Sequence, residues 1–270
     1  MADTAQATPG AGDGETPRLA MQLGRMGPAI GIHLALLALW YAVTQWGGVP
    51  RFILPSPVDT VATLFQPHYN WGQHIFITTI EVFGGFVLAS IFGVALAVVF
   101  SWWPATGRTA MPLLVTLNMI PKVAMAPLLI VWLSYGIVPN IVIAFTICFF
   151  PIVIAAARGL REVESDLIDL VRAVRGSRQQ IFTKIQLPSA LPYIFSGMRV
   201  AAVLAVAGAV VGEFIGSERG LGYLMLQVQS SLDTPAMFMC LALISAIGIV
   251  LYGLVVLGER MFVVADARLD

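Results

Sequence analysis

Uninterrupted apolar runs, not one-sided stripes, set the pattern of this chain. Crossing a bilayer as a helix takes about 20 mostly apolar residues. Six stretches meet or approach that length: 28–46, 73–102, 110–134, 139–157, 192–215 and 235–257. Between them lie short breaks rich in Gly and Pro, such as Gly47-Gly48-Val49-Pro50. Leu54-Pro55-Ser56-Pro57 reads as a turn that starts a short amphipathic helix over 58–66. A second short amphipathic stretch is predicted over 223–231, after a loop at 216–222. The third run contains Pro112, Pro121 and Pro127, so a kinked or broken helix is expected there. The pattern predicts an all-α, polytopic membrane helical bundle with about six transmembrane helices.

Two segments depart from that pattern. Residues 1–27 are rich in Ala, Gly, Thr, Pro and charge, which predicts a disordered tail without the form of a signal peptide. Residues 158–187 carry ten charged side chains in 30 positions and must be solvated. The domain reading is therefore a tail at 1–27, a transmembrane domain at 28–262 containing this loop, and a short tail at 263–270.

Composition agrees with the pattern. Of 270 residues 58% are apolar and only 11% charged, against roughly 25% charged in a soluble domain. Zero net charge argues against a nucleic-acid partner. Cys148 and Cys240 both sit inside apolar runs and read as small core residues. Basic residues fix the expected orientation. With the N-terminus inside the cell, the inner segments hold Arg18, Arg25, Arg108, Arg158, Arg161, Arg172, Arg175, Arg178, Lys184, Arg199, Arg260 and Arg268, and the outer ones hold Arg51 and Arg219. The excess of Lys and Arg on cytoplasmic loops places both termini and residues 158–187 in the cytoplasm.

Lipid provides no hydrophobic drive between helices, so small side chains that permit close approach matter. The second run carries Gly85, Ala89, Gly93 and Ala97 at four-residue spacing. The fifth carries Gly197, Ala201 and Ala205, and two further steps lead to Glu213. Each ladder forms a groove for another helix.

Chemistry-bearing residues are few. Three isolated histidines, His33, His68 and His74, make no zinc set, and His68 and His74 read as interface residues. No Gly-x-Ser-x-Gly elbow is present, and neither lysine follows a glycine as a phosphate-binding loop requires. No catalytic residue, metal site or cofactor site is expected on this chain. Glu81, Lys122 and Glu213 are ionisable residues within the runs, with Met119 beside the proline break at Lys122. Such residues line a pathway or form buried structural partners; Glu213, near a helix end, has the further option of bonding nearby loop amides. A secondary transporter would show inverted repeats, and a membrane enzyme would need a nucleophile or acid–base set; neither is found.

The charged loop is the most informative segment. Residues 161–175 suit an amphipathic helix ended by Gly176 in a left-handed conformation. Ser177 suits the cap of a second helix, with Gln180 three residues on. The segment resembles the signature of the permease subunit of bacterial binding-protein-dependent ABC importers: Glu-Ala-Ala, three residues, Gly, nine residues, Ile-x-Leu-Pro. Ile185, Leu187 and Pro188 match its end, Asp169 stands at the Glu, Leu170-Val171 at the alanines, and Arg175 at the Gly with Gly176 one step later. Resemblance extends over roughly residues 54–262, through Leu54-Pro55-Ser56-Pro57, Ile120-Pro121-Lys122-Val123-Ala124-Met125-Ala126-Pro127, Phe149-Phe150-Pro151-Ile152 and Gly212-Glu213-Phe214. These stretches are similar to the nitrate, sulfonate, taurine and pyrimidine-precursor branch.

The resemblance implies a type I importer permease in the bacterial inner membrane, paired with a second copy of itself. The small-residue ladder bearing Gly93 is expected to serve that pairing. It also implies a periplasmic or lipid-anchored substrate-binding protein, and a separate ATPase dimer that binds ATP and Mg. Asp169, Arg172, Ala173, Arg175, Gly176 and Ser177 would form the coupling segment against that ATPase. The substrate would be a small solute such as a sulfonate, nitrate, taurine or a pyrimidine-type compound.

Overall fold

The computed structural model describes residues 16–163 and 165–263. Among the described residues there are eleven α-helices: α1 (Thr16–Trp46), α2 (Pro57–Ala62), α3 (Trp71–Trp102), α4 (Pro104–Asn118), α5 (Ala126–Leu133), α6 (Ile137–Gly159), α7 (Ser165–Ala173), α8 (Arg178–Ile181), α9 (Leu187–Gly216), α10 (Leu221–Ser230) and α11 (Thr234–Phe262). Four rods are long and apolar enough to cross a bilayer: Pro67–Trp102, Ile137–Gly159, Arg178–Gly216 and Thr234–Phe262. The proline-rich third run breaks between α4 and α5 with a bend of 76°, and it makes a fifth span only if that bent pair is counted as one. Pro121 and Pro127 lack the amide hydrogens that would continue the helix, so the break falls where the sequence placed it. The first run falls short of a span, so among the described residues four spans, or five with the bent pair, stand against the six expected. Its apolar part, Ile30–Trp46, is about 25 Å long at 1.5 Å per residue, short against a hydrocarbon core of about 30 Å.

Helix α1 begins at Thr16, so the backbone is helical over the latter part of the segment expected to be a disordered tail; residues 1–15 and 264–270 lie outside the described residues. Its apolar side chains, Ile30, Leu34, Leu36 and Leu39 among them, remain largely exposed. Trp40 is one tie to the bundle: its indole N–H donates to the Pro55 carbonyl at 3.0 Å and its ring lies 5.8 Å from that of Phe238. Ser56 caps α2, accepting from the Asp59 amide at 3.0 Å.

The centre of the bundle is the packing of α3, α6 and α9. It is built from the two small-residue ladders. Gly85, Ala89, Gly93, Ala97, Gly197, Ala201 and Ala205 are all buried. A Cβ added to Gly85 would lie 2.5 Å from the Ala144 Cβ, and one on Gly197 would lie 2.7 Å from that of Ala155. The backbones therefore approach too closely for any larger residue. Both ladders face α6 of the same chain, which corrects the expectation that the Gly93 face meets a second copy. A Cβ on Gly93 would sit 3.0 Å from Ile152 Cγ2. Gly93→Leu is expected to lower stability by about 3 kcal/mol through overpacking, visible as a lower unfolding midpoint in detergent. An unchanged midpoint would show that α3 and α6 have room to separate.

The chain's last helix also runs further than the apolar run at 235–257. Helix α11 continues to Phe262, and Glu259 within that extension is buried and accepts from Arg199 of α9 at 3.1 Å.

Candidate functional site

Two regions at opposite ends of the bundle concentrate polar chemistry. The first is the loop between α6 and α9. Helix α7 exposes Asp169, Arg172 and Ala173 to solvent. Arg172 donates to Asp169 at 3.2 Å, an exposed i,i+3 pair of small energetic consequence. The helix ends by a Schellman arrangement: Arg175 N–H donates to Arg172 O at 2.9 Å, and Gly176 N–H to Val171 O at 2.8 Å. The left-handed residue is Arg175, at φ 56°, not Gly176. This corrects the sequence reading, and the cause is register: the last helical residue is Ala173, so the left-handed position falls two residues later. A non-glycine residue there costs roughly 1–2 kcal/mol. Gly176 is needed for space instead, because a Cβ would meet Val171 Cγ1 at 2.3 Å.

Ser177 then caps α8 in a full capping box. Its hydroxyl accepts from Gln180 N at 3.2 Å, and its own amide donates to Gln180 Oε1 at 2.7 Å. The loop is clamped to the bundle by contacts no motif announced. Arg178 donates to the Trp102 carbonyl and stacks 5.5 Å from the Trp102 ring. Phe182 packs edge-on against the same ring at 5.7 Å. Phe182–Gln186 forms a π-helical turn that leads into α9, a feature frequent at functional positions. Glu162, outside the spans, is held below the usual carboxylate range by a hydrogen bond from Tyr193 and by Arg158, which fastens the loop's start to α9.

The second region lies at the far end. Glu81 of α3 and Glu213 of α9 are buried side by side. Glu213 accepts from Thr78 Oγ1 at 2.5 Å and from the amides of Gly222 and Tyr223. Those amides are unsatisfied first-turn donors of α10, where a carboxylate is favoured by the helix dipole. Of the readings left open for Glu213, the bond to loop amides is the one observed. Gly220, at φ 112°, is required here twice over, since a Cβ would lie 2.3 Å from the Glu213 carboxyl carbon. Its amide donates to His74 Nδ1 at 3.0 Å, and the Leu221 amide donates to Thr78 at 2.8 Å. His74 is thus buried within the bundle, not placed at an interface as its sequence position implied. Asn140 of α6 donates to Glu81 Oε1 at 2.8 Å and to Ser217 Oγ at 2.6 Å. The cluster ties α3, α6, α9 and α10 together.

Lys122 stands apart from both carboxyls. It lies at the α4–α5 bend, where its ammonium donates to Asn118 O and Asn118 Oδ1, each at 2.7 Å, and sits 4.7 Å from the Phe150 ring centroid. Met119 beside it is exposed. The structure therefore brings Glu81 and Glu213 together and leaves Lys122 and Met119 on a different surface.

Comparison with known proteins converges on this architecture. Residues 85–268 match the family model described as binding-protein-dependent transport system inner membrane component. A probable ABC transporter permease protein of Haemophilus influenzae is 36% identical over 217 residues, covering 80% of this chain and 89% of that one. The riboflavin transport system permease protein RibX of Chloroflexus aurantiacus is 35% identical, over 87% of this chain and 90% of its own length. Among solved structures, an inward-facing MetNI methionine ABC transporter chain superposes with a TM-score of 0.55 at 20% identity, over 69% of this chain and 95% of that one. The six-stretch hydropathy pattern, the α3–α6–α9 core and the charged loop before α9 thus have a common explanation: the chain belongs to the binding-protein-dependent transport system inner membrane component family, as a multi-pass type I ABC importer permease.

Proposed function

We propose that this permease works as a pair of identical subunits that together form a translocation pathway, energised by a separate ATPase dimer. The observation that carries the reading is the α7–α8 loop. It is the most charged segment of the chain, exposes a small residue between charges, and is fixed to α3 and α9 by Arg178, Phe182 and Tyr193. A load applied to α7 therefore reaches two membrane helices through short rigid contacts. ATP and Mg bind to the partner, because no phosphate-binding loop is present in this sequence. Alternating access follows if ATP binding draws two such loops together and their motion opens the bundle to the other side.

The basic asymmetry places the loop and both termini in the cytoplasm, and the α10 end toward the periplasm, where a substrate-binding protein would deliver its cargo. Lys122 and Met119, at the bend of the α4–α5 pair, are assigned to the pathway face: broken helices are tolerated at membrane depth where they line a cavity or protein. Relatives named for aliphatic sulfonates, taurine, riboflavin and formylaminopyrimidine fit a small polar or aromatic cargo.

Cross-linking in membranes tests the coupling assignment. A cysteine placed at Asp169 is expected to cross-link to the ATPase chain with a short bifunctional thiol reagent, and one placed at Val131 is not. Labelling of the Asp169→Cys variant only from the periplasmic side would overturn the topology, and equal cross-linking from both positions would overturn the docking surface.

A further inference from the structure

Two buried carboxyls meet at the end of the bundle remote from the charged loop. Glu81 of α3 and Glu213 of α9 are hydrogen-bonded to each other. A carboxylate can only accept, so a hydrogen bond between two carboxyls needs one proton. Two bare carboxylates in contact inside an apolar bundle would repel, and one of them takes up a proton instead. The surroundings say which. Glu213 accepts from the Thr78 hydroxyl and from the Gly222 and Tyr223 amides at the start of α10, where negative charge is favoured. Glu81 accepts on Oε1 from Asn140, a neutral donor shared with Ser217. Its Oε2 accepts from no donor among the described residues. That oxygen is the one placed to carry the proton and donate to Glu213.

The proton has a route and a mechanical consequence. A cavity of about 430 Å³ reaches the Glu81 side chain, between Ile77, Tyr135, Ile137 and the loop at Ser217 and Arg219, and gives water access to it. Glu213 in turn holds the first turn of α10, whose Gly220 and Leu221 amides are held by His74 and Thr78 of α3. The bond from Glu81 to Glu213 is thus one of the links that close α9 and α10 on α3. Without the proton it becomes a contact between two charges. We propose that the Glu81–Glu213 pair is a proton-binding site: one proton, carried by Glu81, latches α3 to the α9–α10 corner, and its release opens that end of the bundle. The other ionisable groups around the pair are His74 on α3, Tyr135 before α6, Glu218 and Arg219 in the loop, Tyr223 on α10 and Cys240 on α11, with Asp233 held by Tyr69 beyond them. Helix α6 presents the neutral Asn140. The closed end holds one proton; an opened end, with both carboxyls in water, holds none above the ordinary carboxylate range of roughly pH 4–5. Opening therefore becomes about tenfold easier for each unit of pH above that range, up to the pH at which the closed pair itself gives up its proton. The proposal goes beyond the importer reading and takes from it only the membrane setting, so either can fail without the other.

The test is hydrogen exchange of the full chain in lipid nanodiscs, with each rate divided by that of an unstructured peptide at the same pH. In the wild type, protection of the amides at 220–223 is expected to fall about tenfold per unit between about pH 7 and about pH 9, while protection in the middle of α6 stays level. Glu81→Gln puts an N–H donor where the acid proton stood, so the latch should stay shut with no dependence on pH. His74, Tyr135, Tyr223 and Cys240 are untouched in that variant. A slope that survives it belongs to one of them and overturns the proposal. A second measurement needs no variant. At about pH 7 the infrared spectrum of the wild type should contain the carbonyl stretch of a protonated carboxyl, shifted by isotopic labelling of glutamate; exposed glutamates are ionised at that pH and do not contribute. Absence of that band, or wild-type protection that is flat with pH, would show that the pair binds no exchangeable proton. Should Glu81→Gln not fold, the wild-type slope and band decide: both present support the site, and either one missing overturns it.

Discussion

Ala173→Trp should abolish ATP-driven transport while leaving the permease folded and inserted. Ala173 is the last residue of α7 and exposed, so the larger side chain meets no atom of its own chain that must move. Surface substitutions of this kind usually change stability by about 0.5 kcal/mol or less. The effect falls on the partner. A small residue flanked by Arg172 and Asp169 suits a shallow groove with a polar rim, and an indole there cannot be seated without separating the surfaces. A loss of about 3 kcal/mol in docking is a factor of roughly a hundred in affinity. Pull-down of the ATPase and transport, measured in parallel, should both fall. A variant that binds its ATPase and transports at the wild-type rate would show that α7 is not the coupling helix.

Glu213→Ala should cost the bundle its far-end closure. The substitution removes the acceptor for Thr78 and for the first amides of α10, all of them buried. Each orphaned buried donor costs about 1–3 kcal/mol, so the three together are expected to cost at least about 3 kcal/mol. Helix α10 should loosen from α9 first, because Gly220, Leu221 and Gly222 hold it through this cluster. Hydrogen exchange over 217–230 should rise sharply and the unfolding midpoint should drop. Glu213→Gln retains an acceptor of the same shape and should be markedly milder. Equal behaviour of the two variants would mean that the carboxyl's hydrogen bonds contribute little.

The membrane spans were legible because the bilayer imposes one requirement, a long apolar run, that few other segments meet. The break at Pro121 was legible for the same reason: missing amide hydrogens are written in the sequence. The bend of 76° was not, since it depends on what α5 packs against. The loop's capping box followed from Ser177 and Gln180 alone. The end of α7 did not, because assigning the left-handed position to Gly176 assumed a helix that reached Arg175, and the one formed ends at Ala173. Burial of both ladders followed from their spacing, but the partner did not: a groove of small residues does not say which helix fills it, and α6 of the same chain does. The Glu81–Glu213 cluster was legible in part: both carboxyls stood out as ionisable residues within apolar runs, and a bond to loop amides was one reading of Glu213. That the two meet did not follow, because the members of the cluster come from four helices. One signal was available. His74, Thr78 and Glu81 are four and three residues apart, which places them on one face of α3, and a polar stripe on a membrane helix calls for partners elsewhere in the chain.

The central claim is that this chain is the membrane half of an ATP-driven importer built on two copies of itself. Native mass spectrometry of the complex purified through an affinity tag on this chain, from its own host membranes, tests that claim directly. The account predicts an assembly of two copies of this 29.0 kDa chain with two copies of an ATP-hydrolysing chain, and loss of the second component alone from the Ala173→Trp variant. A single copy, or a pair that never carries an ATPase, would contradict it.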